Sequence, residues 1–259
     1  MSTFDILFLG TCAANFSPRL KTDLANCFDK DARRSSSVLL DGRFLIDCGK
    51  HTAECLRIAQ TDVTKITDIF ITHTHYDHFM PEVVESVARL AGHSLRLWIN
   101  ESADIPEITG VQTVRIPLFE ELTVCDGLTL SAVRANHDPN AAPVHYLFKK
   151  GDKKLLYACD GAWLLTDSYN YLKNAQLDVA ILDATCGDYV GDWRMAEHNS
   201  IPMIRLMLPS MKNFGIIKDD TVIYLSHLAP SLHKSHEETQ QLVKSDGLLV
   251  AYDGLSVQI

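Results

Sequence analysis

The sequence has no CxxC pair among its 7 cysteines, no long apolar run, and fewer basic than acidic residues, 24 Lys and Arg against 33 Asp and Glu. Each shortage removes a class of protein. Without paired cysteines, a zinc site made only of thiolates is not expected. The odd cysteine count reads as small buried apolar residues in a reducing compartment. Without roughly 18 consecutive apolar residues, no membrane helix is expected. The opening Met1-Ser2-Thr3-Phe4-Asp5 offers neither the basic stretch nor the apolar segment of a secretion signal, so the expected address is the cytoplasm. A formal net charge of -9 argues against an extensive nucleic-acid surface, because neutralising phosphates needs clustered Lys and Arg. A small anionic substrate remains compatible with it. No Pro/Gly/Ser-rich linker, low-complexity tract or short repeat divides the 259 residues, so one domain over 1–259 is expected.

What is present is a packed globular composition, 46% hydrophobic, with strand and helix signals in both halves. Phe4 to Gly10 reads as a strand, followed by a long loop over residues 15 to 35. Ser37–Leu40 and Arg43–Ile46 read as a hairpin around Asp41-Gly42, a dipeptide suited to the positive φ angles of a type I′ turn. Asp126-Gly127, Gly151-Asp152 and Asp253-Gly254 repeat that punctuation, which predicts mainly antiparallel pairing. Helical patterns cover His51–Ala59, Pro81–Ala91, Ser168–Asn174, Ile201–Met211 and Ser235–Lys244, where Ser235 and Glu238 have capping-box spacing. The expected class is α/β (α+β), with sheets covered by helices.

The chemistry is concentrated after the apolar strand Thr67–Thr72, in His73-Thr74-His75-Tyr76-Asp77-His78. In extended backbone His73 and His75 point to one face, and the turn that follows brings Asp77 and His78 to a neighbouring point. Histidine is scarce and neutral imidazole is a common metal ligand, so this density points to metal rather than chance. One cluster cannot complete two metal shells. His137, Asp160 and His227 each close an apolar run, where distant ligands would stand.

The HxHxDH run, with His, Asp and His closing later strands, resembles the metallo-β-lactamase superfamily across nearly the whole chain. The resemblance implies an αββα sandwich with a site at one sheet edge. It implies that His73, His75 and His137 hold one metal, that Asp77, His78 and His227 hold the second, and that Asp160 bridges them. Two divalent ions, manganese or zinc with iron possible, would then present a bridging hydroxide for hydrolysis. Asp77 would be both ligand and catalytic residue.

Leu9-Gly10-Thr11, Leu45-Ile46-Asp47-Cys48-Gly49, Tyr157-Ala158-Cys159-Asp160-Gly161 and Leu225-Ser226-His227-Leu228 are similar to the PhnP-like cyclic phosphodiesterases. That similarity implies a small cyclic or nucleotide-like phosphodiester as substrate, of the phosphoribosyl cyclic phosphate type. It makes His198 the general acid and Asp47 a buttress of the histidine loop. The chain departs from the pattern in having only Cys12 and Cys27 in the early loop, so the relatives' structural zinc is not expected, and Pro230 stands where they carry a histidine. A thioester or lactone hydrolase of the same fold, or an iron-dependent redox protein like PqqB, uses the same ligand types and stays open. His145 reads as a satisfied interior histidine. Arg33 and Arg34 read as a solvated pair that could meet an anion, Trp98, Trp163 and Trp193 mainly as packing residues with Trp163 and Trp193 also candidates to wall a pocket near the metals, and a homodimer as the default assembly.

Overall fold

Runs of β-branched and aromatic residues form strands, and helices separate many of them, in the computed structural model, which describes residues 2–259. The first sheet takes β1 (Asp5–Gly10), β2 (Ser37–Leu40), β3 (Phe44–Ile46), β4 (Asp68–Ile71), β5 (Leu95–Asn100) and β6 (Val111–Ile116). The second takes β7 (Glu121–Cys125), β8 (Leu128–Arg134), β9 (Val144–Lys150), β10 (Lys153–Ala158), β11 (Leu177–Asp183), β12 (Ile217–Ser226) and β13 (Leu248–Val250). The last strand, β14 (Ser256–Gln258), returns to the first sheet beside β1. Asp253-Gly254 is therefore a crossing between sheets and not the hairpin its composition suggests.

Pairing departs from the antiparallel expectation in a regular way. Each sheet joins an antiparallel half, β14 to β3 and β7 to β10, to a parallel half, β3 to β6 and β10 to β13. A parallel neighbour needs a crossover long enough to carry the chain back. Helices supply it in α1 (Thr52–Ile58), α2 (Pro81–Ala91), α3 (Thr166–Leu172), α4 (Ile201–Asn213) and α5 (His236–Val243), and the loop over residues 101–110 supplies it between β5 and β6. The predicted Pro81–Ala91 helix is found at those bounds, and Ser235 with Glu238 forms the expected capping box on α5. The Asp41-Gly42 turn is also found, with φ of 53° and 63° and Arg43 N–H donating to Leu40 O at 3.0 Å.

The two sheets bury one core between them, rich in aromatics such as Phe8, Phe70, Tyr146, Phe148 and Tyr157. Outside it, α1 and α2 cover the first sheet with Leu56, Val84 and Val87, and α4 covers the second with Ile204 and Met211. This is the αββα sandwich that the resemblance implies. Among the described residues no helix is long and apolar enough to cross a membrane.

Arg33 and Arg34 correct the reading of the long loop. Neither is solvated: Arg33 is 4% exposed and Arg34 0%. Arg34 donates to Leu24 O, Cys27 O and Glu54 Oε1, and Arg33 to Ala251 O and the Thr11 hydroxyl. A loop that folds back into the protein leaves carbonyls needing donors, and a buried guanidinium supplies several at once.

Candidate metal centre

Parallel pairing aligns β10, β11 and β12, so that their C-terminal ends open on one edge. Asp160 follows β10, Asp183 ends β11 and His227 follows β12. On the facing sheet, parallel β3 and β4 bring Asp47 beside Thr72, at the root of the histidine run. Asp47 accepts from Thr72 N–H at 2.8 Å and from the Thr72 hydroxyl at 2.9 Å, and its other oxygen meets His78 Nδ1 at 2.7 Å. The expected buttress is therefore present as hydrogen bonds. Gly49 lets this strand end press on the histidine loop, since a Cβ there would lie 1.8 Å from Asp77 O.

Asp47, Asp160 and His227 have φ of 61°, 61° and 58°. Left-handed backbone at non-glycine residues is strained, and here it turns three strand ends inward toward one point.

Two groups of donor atoms hold the predicted ligands: His73, His75, His137 and Asp160 form one, and Asp77, His78, Asp160 and His227 form the other, while a third, overlapping group joins Asp160, Asp183, His198 and His227. His75 Nδ1 stands 3.1 Å from His73 Nε2 and 3.0 Å from His137 Nε2, and His78 Nε2 stands 3.1 Å from His227 Nε2. Asp160 Oδ2 lies 3.2 Å from His73 Nε2, 3.2 Å from His78 Nε2 and 3.3 Å from His227 Nε2. One carboxylate oxygen thus touches both groups. The sequence-predicted ligands are all brought together.

The hydrogen bonds behind the rings assign their protons. His78 Nδ1 donates to Asp47, and His227 Nδ1 to the Thr185 hydroxyl at 2.7 Å, which itself donates to Asp183. With Nδ1 engaged on each ring, the two Nε2 atoms facing each other are left to share a positive charge, a proton or a cation, between them. His137 Nδ1 and Asp160 Oδ1 are buried without a hydrogen-bond partner. An all-imidazole and carboxylate donor set with lone pairs converging at about 3 Å fits divalent cations.

Electrostatics divide the two groups. Burial pushes His73 down and holds His137 at about 4, so both are neutral imidazoles. Burial opposes charge on His227 as well, but Asp160 and Asp183 outweigh it and raise it to about 9. The second group thus takes up positive charge even as a proton.

Sequence reasoning missed Asp183. It is buried and accepts from Thr185 N–H and Asn199 N–H, each at 3.0 Å, and from His198 Nδ1 at 3.0 Å. Its signal was available, since it closes the apolar run of β11 as Asp160 and His227 close theirs. His198 Nδ1 stands 3.0 Å from Asp183 Oδ2 and 3.1 Å from Asp160 Oδ1, which leaves Nε2 as the ring nitrogen that neither carboxylate engages. Burial works against its charged form, yet Asp183 and Asp160 raise it to about 10 in the metal-free cluster.

The donors open on a cleft of about 380 Å³, walled by Ala13, Asn15, Thr185, Arg194 and His198. A larger groove of about 840 Å³ beside Tyr189 and Leu242 contains none of the candidate ligands. The tryptophan expectation is corrected in part: Trp98 packs in the core, whereas Trp163 and Trp193 neither pack inside nor line the cleft, and Trp193 is 79% exposed on the loop that delivers Arg194. His145 is also corrected. It is interior, behind Gly161, but both its ring nitrogens lack partners.

A family model described as Beta-lactamase superfamily domain matches residues 42–212. Zinc phosphodiesterase ELAC protein 1 of Homo sapiens is 40% identical over 80 residues, which is 30% of this chain and 18% of that protein's length. The metallo-beta-lactamase fold protein YhfI from Bacillus subtilis has a TM-score of 0.76 at 14% identity, with 100% of both chains covered. A diphosphatase from the PhnP family has a TM-score of 0.72 at 20% identity, covering 100% of this chain and 98% of that one. These two likenesses carry the fold.

Proposed function

The chain belongs to the beta-lactamase superfamily, and from that membership we propose that it is a dinuclear metal-dependent hydrolase of small anionic phosphodiesters. His73, His75 and His137 would hold one cation, Asp77, His78 and His227 the other, and Asp160 both. Bound there, two divalent ions supply charge to polarise a phosphoryl oxygen and to acidify water near neutral pH. Manganese, zinc and iron all accept this donor set, and zinc is the metal in the relative's name.

The observation that carries the phosphodiester reading is the Asp183–His198 pair at the cleft wall. Phosphodiester cleavage expels an alkoxide that must gain a proton. An imidazolium whose Nδ1–H is held by a buried carboxylate can give up the proton on Nε2 and remain in place. A thioester releases a thiolate, a better leaving group that needs less help. Asp183 keeps the ring oriented through the transfer, and Asn199 N–H and Thr185 hold Asp183. The matched segment of a relative named as a phosphodiesterase supports the same bond class.

The test is turnover of a dialkyl phosphodiester, which must release an alkoxide, of an alkyl aryl phosphodiester, which releases a phenolate, and of an acyl thioester, by protein loaded with manganese or zinc. We expect phosphodiester cleavage, and we expect His198→Ala to lower kcat by about 10²–10⁴-fold when an alkoxide must leave, with metal content unchanged. Cleavage of the thioester alone, or full alkoxide release by His198→Ala, would overturn the reading.

A further inference from the structure

Arg194 is the one Lys or Arg side chain among the residues lining the cleft. We propose that it is a specificity residue that binds a second anionic group of the substrate, a phosphate lying beside the scissile phosphodiester. The inference rests on the hydrolase reading for the position of the scissile bond and on this loop for everything else.

The loop is built to present a guanidinium. Asp192 begins a single helical turn, Trp193–Ala196, by accepting Arg194 N–H at 2.9 Å. The same carboxylate accepts from Arg194 Nε at 2.8 Å and from Nη2 at 2.8 Å, a two-point grip on the planar group. A guanidinium has five N–H groups, and Asp192 engages two of the nitrogens while Nη1 has no hydrogen-bond partner among the described residues. That leaves a planar edge already oriented, so a ligand phosphate meets it without the rotamer cost of a free arginine.

The turn also ties Arg194 to the catalytic face. Arg194 O accepts from His198 N–H at 2.8 Å and from Glu197 N–H at 3.0 Å, so the anion-binding edge and the proposed acid are registered through backbone. Glu197 also lines this cleft.

The ligand class follows from the geometry. A diester of one negative charge is complete once its phosphoryl oxygens meet the cations, and it has nothing for Arg194. A substrate with a further phosphate uses both sites, and neutral or cationic substituents gain nothing.

Two probes that differ in one phosphate test this: thymidine 5′-(4-nitrophenyl phosphate), and the same molecule carrying a 3′-phosphate. The metal-loaded wild type is expected to show the lower KM for the bisphosphate probe. Arg194→Gln is expected to raise that KM by about tenfold, the effect of one charge-assisted contact, and to change KM on the monophosphate probe by much less. Arg194→Lys should restore part of the difference. Equal loss on both probes, or no loss on either, would overturn the proposal.

Binding calorimetry with thymidine 3′,5′-bisphosphate and thymidine 5′-phosphate separates this from the hydrolase reading. If neither probe is cleaved but the bisphosphate binds more tightly in an Arg194-dependent way, the reaction class falls and the anion site stands. If the two nucleotides bind alike, the anion site falls whatever the kinetics show.

Discussion

Asp183 and Asp160 are both buried carboxylates at strand ends, and their surroundings give them different work. Asp160 turns one oxygen to three imidazole nitrogens and lies where a bridging ligand would stand. Asp183 spends its oxygens on backbone N–H groups, Thr185 and His198. An Asp183→Asn variant should therefore keep its metals and lose orientation of His198. Partners of this kind usually contribute about 10–100-fold. The expected result is a fall of that size in kcat on a diester with an alkoxide leaving group, with a smaller fall on one with a good leaving group. Equal falls on both, with metal lost, would make Asp183 part of the cage instead.

At the scale of the elements, the edge is shaped by backbone that approaches backbone too closely for a side chain. Gly49 is the clearest case, because any side chain there would run into the Asp77 carbonyl. Gly49→Ala must push the β3 end away from the histidine loop. Overpacking of this kind costs roughly 1–3 kcal/mol. A lowered urea midpoint together with weaker metal retention is the expected outcome, and an unchanged midpoint would show that the loop yields freely.

Much of this level was legible in the residues. The HxHxDH run announced a ligand cluster, the apolar runs before His137, Asp160 and His227 announced strand ends, and Asp41-Gly42 announced its turn. Parallel pairing was missed because the Asp-Gly and Gly-Asp dipeptides read as hairpins, although fully buried runs such as β4 and β11 with helices between them carry its signal. Asp183 escaped because a single aspartate after an apolar run is usually a turn residue. Arg194 escaped because its meaning lies in Asp192 two residues earlier and in a cleft that only the fold assembles. The burial of Arg33 and Arg34 depends on carbonyls of Leu24, Cys27 and Ala251, about which side-chain chemistry is silent.

For the whole molecule, the candidate cage is a set of charges that proteins seldom gather without cations. Removing metal should lower thermal stability, since ligands that bind only the folded state stabilise it by mass action. The metal-free form should also be sensitive to alkali. Its His227 and His198 pKa values, about 9 and about 10, stand above the ordinary 6.5. Protonation therefore stabilises the metal-free fold fully below about 6.5, and that contribution is lost as pH climbs through 9 to 10. Asp253 acts earlier. Burial raises it to about 7 against the pull of Arg33, so the fold binds its proton more tightly than the unfolded chain and loses stability between about 4 and 7. Denaturant titrations of chelator-treated protein should thus show stability falling from pH 7 to 10, while metal-loaded protein stays nearly level there. Parallel curves for the two forms would contradict this assignment of charge.

The most direct measurement is elemental analysis of protein purified without added metal, beside an Asp160→Ala variant treated alike. A shared carboxylate between two cation sites predicts about two divalent ions per wild-type chain and a clear loss from both sites in the variant. Less than one ion per wild-type chain, or a full complement in Asp160→Ala, would contradict it.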